Sequence, residues 1–84
     1  MKVTLKLFAT LSDYLPPEAK RTNSVELDVD EGVTPQQLID RFRLPPKLCH
    51  LVLVDGHFVP PAARSTRVLG PGETLAIWPP VAGG

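Results

Sequence analysis

The feature that most limits the fold of this chain is its proline content: ten prolines in 84 residues, eight of them in four adjacent pairs. Each proline fixes φ and lacks an N–H, and it pushes the residue before it out of the helical region. Long helices cannot pass Pro16-Pro17, Pro45-Pro46 or Pro60-Pro61, so short elements joined by stiff turns are expected. The fourth pair, Pro79-Pro80, stands just before the last four residues, Val81-Ala82-Gly83-Gly84.

Between these breaks the apolar pattern is mostly that of strands. Lys2 to Phe8 alternates, with Val3, Leu5 and Leu7 on one face and Lys2, Thr4, Lys6 and Phe8 on the other. Leu11, Tyr14 and Leu15 then have helical spacing, but Pro16 limits that segment to a turn or two. Glu18 to Ser24 is polar and reads as a loop. Val25 to Asp30 is a second alternating strand with Val25, Leu27 and Val29 inward. Thr34-Pro35-Gln36-Gln37 announces a helix, with Thr34 as cap, Pro35 at the first helical position and Gln37 closing a capping box. Leu38, Ile39 and Phe42 form its buried stripe, and it must end near Arg43 ahead of Pro45-Pro46.

Leu51-Val52-Leu53-Val54 is apolar throughout, as in a strand covered on both faces or lying inside a sheet. Asp55-Gly56 suits a two-residue hairpin turn, with His57-Phe58-Val59 as a short return strand that Pro60-Pro61 stops. Gly70-Pro71-Gly72-Glu73 fits a type II turn, Gly72 supplying the positive φ. Thr74 to Trp78 is the last strand, with Leu75 and Ile77 inward and Trp78 outward. The economical solution is an α+β domain: one main helix packed across a mixed sheet of four to five strands, with one or two short helical turns.

Hydrophobic content of 43% with 21% charged residues is ordinary for a single globular domain, and no repeat or long linker divides the chain. Nine basic and nine acidic residues cancel without clustering, which argues against nucleic acid or an anionic membrane as partner. The single cysteine, Cys49, allows no internal disulfide and no thiol pair for a metal. No apolar run spans a bilayer, and Met1-Lys2 leads directly into a strand, so the cytoplasm is the expected compartment.

The sequence offers little catalytic machinery. His50 and His57 flank a strand without a Ser or carboxylate at motif spacing, and Cys49 reads as a small buried residue rather than a nucleophile. No glycine-rich phosphate loop is present. Arg64 and Arg67 read as solvated charges, with pairing to an acidic partner as the alternative. The ending is more informative. Pro79-Pro80 favours extended polyproline geometry, and Gly83 and Gly84 can pass through a slot too narrow for any side chain. The tip carries one functional group, the Gly84 α-carboxylate. A tail reaching into another protein's active site fits this order of residues; the plain alternative is a frayed terminus, where small residues also collect.

Taken together, the opening strand ending Leu7-Phe8-Ala9, the capped helix at Thr34, the Asp55-Gly56 hairpin, the turn at Gly72-Glu73 and the close Trp78-Pro79-Pro80-Val81-Ala82-Gly83-Gly84 resemble the MoaD/ThiS family. These are ubiquitin-like β-grasp sulfur carriers, and the ending is most similar to the small subunit of molybdopterin synthase. The segment Thr10 to Leu15 also looks like that branch. One departure is Gly70-Pro71-Gly72-Glu73, where the family more often places an acidic residue around the glycine; the turn is kept.

The resemblance implies a β-grasp domain over residues 1–78 and an extended tail over 79–84. It implies a non-catalytic carrier whose Gly84 carboxylate is adenylated by a ubiquitin-activating-like enzyme and converted to a thiocarboxylate. That enzyme, not this chain, would use ATP and a sulfur donor; no cofactor or metal is expected here. A larger molybdopterin synthase subunit would receive the tail through Pro79, Pro80, Val81, Ala82 and Gly83. The other readings are a carrier for a thiamine or tungsten-cofactor pathway, or a protein modifier conjugated through Gly84. If the first and last strands are neighbours, Phe8 and Trp78 share an outer face that Phe58 could join, forming a patch for partner binding.

Overall fold

The computed structural model describes residues 1–80. Its strands are β1 (Lys2–Leu7), β2 (Ser24–Asp28), β3 (Leu51–Val54), β4 (His57–Phe58) and β5 (Thr74–Trp78), and its α-helix is α1 (Pro35–Arg41). They form one five-stranded mixed sheet in the order β2-β1-β5-β3-β4. The central pair, β1 and β5, is parallel, with Leu5 opposite Leu75 and Leu7 opposite Ile77. The other three pairings are antiparallel. This is the ubiquitin-like β-grasp arrangement.

Alternation decides which face is buried. Val3, Leu5 and Leu7 of β1, Leu75 and Ile77 of β5, and Val52 and Val54 of β3 pack inward with Leu38 and Ile39 of α1. Leu5, Leu7, Leu75 and Ile77 are fully buried. Helix α1 starts as its sequence requires. Thr34 accepts from the Gln37 amide at 3.3 Å, the Gln37 side chain accepts from the Thr34 amide at 3.0 Å, and Pro35 takes the first turn.

The helix ends by a device the prolines did not reveal. Arg43 turns left-handed at φ 55°, while Leu44 N–H donates to Ile39 C=O at 3.0 Å and Arg43 N–H donates to Asp40 C=O at 3.1 Å. That pair of bonds is a Schellman motif, closed by the buried side chain of Leu44. Phe42, expected in the buried stripe, is only half-buried at the cap.

Other differences are local. Among the described residues there are four 3-10 segments (Ala9–Tyr14, Pro17–Ala19, Pro46–Leu48 and Pro61–Ala63), where one or two helical turns were expected. Three of them begin at the second proline of a pair, whose fixed φ starts a tight turn. Tyr14 faces solvent, whereas Leu11 and Leu15 are buried. Strand β2 ends at Asp28, but Val29 still exchanges two backbone bonds with Met1, at 2.8 and 2.9 Å. The Asp55-Gly56 turn has φ of 48° and 83°, the type I′ geometry that joins twisted strands in two residues.

Candidate functional site

Of the features singled out in the sequence, Phe8, Trp78 and Pro79 meet where β5 ends. Strand β5 lies between β1 and β3, so its outward residues are flanked on both sides. Phe8 follows the Leu7–Ile77 pair and comes beside Trp78, and the two rings stack with centroids 4.3 Å apart and planes 7° apart. Across the other edge of β5, Leu51 pairs with Trp78 and Leu53 with Ala76. Phe58 of β4 then pairs with Leu53. Residues directly opposite one another share a face, so an apolar band runs from Phe8 through Trp78 and Leu51, with Ala76, Leu53 and Phe58 as a second row.

Phe8 and Trp78 are half-buried, mainly by one another and their strands, while Leu51 is 37% and Phe58 57% exposed. Phe58 thus lies on the same face as the stacked pair but two strands from Trp78. The outer face of β1 and β2 differs in character. Lys2, Thr4, Glu26 and Asp28 occupy it, with Lys2 Nζ 3.8 Å from Glu26 and 3.2 Å from Asp28. One half of the outer sheet is charged and the other apolar.

Leu51 and Leu53 went unrecognised as members of this band. Their signal was the unbroken apolar run of β3, read as a strand covered on both faces or lying inside a sheet; the second holds, since β3 lies between β5 and β4. The core packs only against the Val52 and Val54 side, and the leucines are left facing out.

The root of the tail is held from both flanks. Phe8 N–H donates to Ile77 C=O at 3.2 Å, and His50 N–H donates to Trp78 C=O at 3.1 Å. Pro79 has no N–H to continue either ladder. Pro79 is half-buried and Pro80 exposed. The expected insertion residues Val81, Ala82 and Gly83, and the expected carrier residue Gly84, lie outside the described residues.

Both arginines expected at the surface are committed within the chain. Arg64 is 7% exposed and donates to the carbonyls of Cys49 at 2.7 Å and His50 at 3.3 Å. Arg67 forks onto Glu73 with two bonds of 2.9 Å. That pairing, with the Gly70 amide also donating to the carboxylate, holds the Glu73 carboxyl down at about 2. Reading these arginines as solvated failed because the fold brings acceptors to each: the Cys49 and His50 carbonyls from another element to Arg64, and the Glu73 carboxylate, six residues on across the turn at Gly72, to Arg67. Cys49 is buried, and burial raises its thiol pKa against the opposing pull of Arg64, which keeps it in the unreactive thiol form. Among the described residues no group of His, Cys, Asp and Glu side chains is placed to hold a metal ion, and no helix is long and apolar enough to cross a membrane.

Solved structures place the fold. SAMP1 from Haloferax volcanii is 24% identical with a TM-score of 0.67, both chains being covered in full. The HVO 2177 protein of the same organism is 25% identical with a TM-score of 0.75, over all of this chain and 87% of that one. A chain of the complex between subunits 1 and 2 of molybdopterin-converting factor from Helicobacter pylori is 15% identical with a TM-score of 0.61, again over both full lengths. A search of curated proteins gave no match. The model of the ThiS family matches residues 5–84, from the middle of β1 through the terminal glycines. With the match extending over nearly the whole chain, this protein belongs to the ThiS family.

Proposed function

We propose that this chain is a sulfur carrier that works through the Gly84 carboxylate in making the molybdenum cofactor. A body over residues 1–78 docks, and a tail over residues 79–84 is handed to a partner's active site. The observation that carries this reading is the placement of an uncovered apolar band, centred on the Phe8–Trp78 stack, directly at the root of Pro79-Pro80. A tail of small residues gives little affinity by itself. Apolar surface beside its exit supplies the binding energy that brings the tip to a catalyst, and aromatic residues are favoured anchors for such contacts.

The chemistry follows from the one group at the tip. A carboxylate is a poor acyl donor until one oxygen becomes a good leaving group. An activating enzyme transfers AMP from ATP to the Gly84 carboxylate, releasing pyrophosphate. The terminal sulfur of a persulfide then displaces AMP, and a second thiol cleaves the resulting S–S bond to leave the thiocarboxylate. This chain binds no cofactor in that sequence; ATP and the sulfur donor belong to its partner. The matched Helicobacter pylori chain comes from a complex of two molybdopterin-converting factor subunits, which supports a larger second subunit as acceptor.

Incubation with an activating enzyme of this class, ATP and a persulfide donor, followed by intact mass measurement, tests the reading. Replacement of one oxygen by sulfur at Gly84 is expected, with no product after deletion of Gly83 and Gly84. That deletion is expected to change the melting temperature little. Lysine-linked conjugates without thiocarboxylate would overturn the carrier reading in favour of a protein modifier.

A further inference from the structure

Arg64 is a costly residue to bury. It follows the 3-10 turn Pro61–Ala63, is 7% exposed, and forms no salt bridge among the described residues. Its Nε also lacks a hydrogen-bond partner there. A desolvated cation without a carboxylate is commonly less stabilising than an apolar side chain of the same size. Its contribution is therefore to be sought in what its planar fork holds.

The fork holds the Cys49 and His50 carbonyls, at 2.7 and 3.3 Å, and so fixes the backbone leading into β3. His50 in turn donates its N–H to Trp78 C=O at 3.1 Å. That carbonyl belongs to the Trp78-Pro79 peptide, whose planarity makes its orientation the orientation of the Pro79 nitrogen. The φ of Pro79 and of Pro80 is fixed by the rings, and Pro80 keeps the ψ of Pro79 extended, so the plane chosen at Trp78 is carried as far as Pro80. Arg64 is itself anchored, because its own C=O accepts from Gln36 N–H in the first turn of α1 at 2.8 Å.

We propose that Arg64 is a positioning residue that aims the C-terminal tail, acting through the His50 amide on the Trp78-Pro79 peptide. This rests on the carrier reading given above. The body docks through its apolar band whether or not Arg64 is present, but the tail leaves at the productive angle only when His50 is held. Loss of the fork therefore lowers the rate of tail chemistry without weakening docking.

The test uses the full chain with Arg64→Met and Arg64→Lys. Amide hydrogen exchange compares His50, on the Arg64 side of the tail root, with Phe8, which grips Ile77 from the other side. In Arg64→Met the His50 amide is expected to exchange at least tenfold faster while Phe8 is unchanged. Arg64→Lys, which can reach one carbonyl as a point charge, gives a smaller acceleration. With an activating enzyme and ATP, kcat for pyrophosphate release falls at least tenfold in Arg64→Met while KM stays within twofold. Equal acceleration of His50 and Phe8 would reveal a general loss of structure and overturn the proposal, as would unchanged kcat with a loosened His50. If Arg64→Met does not fold, the same comparison in Arg64→Lys decides. Failure of the unsubstituted chain to be adenylated overturns the carrier reading instead, and the exchange experiment still reads the grip of Arg64 on the tail root.

Discussion

At its Glu73 end β5 is tied to its own domain by polar atoms, whereas at its Trp78 end an apolar stack that solvent still reaches finishes the strand. The Glu73 carboxylate accepts a fork of two bonds from Arg67 and a third from Gly70. Thr74 and Asp55 are joined twice, through Asp55 N–H to Thr74 C=O at 2.9 Å and Thr74 N–H to the Asp55 carboxylate at 2.7 Å. Thr4 N–H adds a bond to Glu73 C=O at 3.0 Å. At the other end Trp78 has Phe8 against its ring and the half-open Leu51 beside it. One end meets its needs within the chain. The other leaves apolar area open to solvent, the area that the proposed partner would cover.

The comparison assumes that both ends hang on one shared core, and Leu75→Ala tests that assumption with the largest effect. Leu75 is fully buried between β1 and β3. Truncating such a leucine costs about 2–5 kcal/mol, against roughly 4–13 kcal/mol of total stability for a chain of this length. The urea midpoint is expected to fall steeply and partner binding to fall with it. A loss below about 1 kcal/mol, against that scale for buried leucines, would mean that the middle of β5 is not the common support of its two ends.

Trp78→Ala separates the ends. Removing the ring forfeits an aromatic pair contributing about 0.5–1.5 kcal/mol beyond the area that the half-buried ring covers. At a docked interface a central tryptophan commonly accounts for 2 kcal/mol or more, roughly 30-fold in Kd. Calorimetry with the proposed larger subunit and thermal unfolding of the isolated chain should therefore rank binding as the greater loss. The reverse ranking would move Trp78 from the proposed docking surface into the support of its own sheet.

What the sequence disclosed follows the same division. Local signals were legible because each is carried by adjacent residues: the alternation of β1 and β5, the capping box at Thr34, the type I′ pair Asp55-Gly56 and the turn at Gly72. The outward placement of Phe8 and Trp78 needed only strand periodicity, once the family resemblance made their strands neighbours. Arg64 and Arg67 were not legible, since their acceptors arrive from Cys49, His50 and Glu73 only after the chain has folded. The outward leucines of β3 were missed for a related reason. An apolar run records that both faces are apolar, but not whether anything covers the second one.

Glu73 gives the smallest effect and the one most specific to its end of the strand. Its carboxyl is lowered from 4.5 to about 2, first by the Arg67 fork and then by the Gly70 amide. A carboxylate with a depressed folded pKa contributes stability that is fully present above its unfolded pKa and is lost as pH falls through the folded value. The Glu73 contribution is thus whole at neutral pH and disappears between about pH 4.5 and 2. Because the pair is partly open to solvent, with side chains 35% and 22% exposed, its worth is about 1 kcal/mol, or about 4–8 °C in a domain of this size. Glu73→Gln should therefore melt lower than the unsubstituted chain at neutral pH, and the two curves should converge as pH approaches 2. Binding to the proposed larger subunit should not change, because neither Glu73 nor Arg67 belongs to the apolar band. If Glu73→Gln instead weakened docking while leaving the acid-unfolding profile intact, the polar end of β5 would be part of the partner surface, and the division between its two ends would fail.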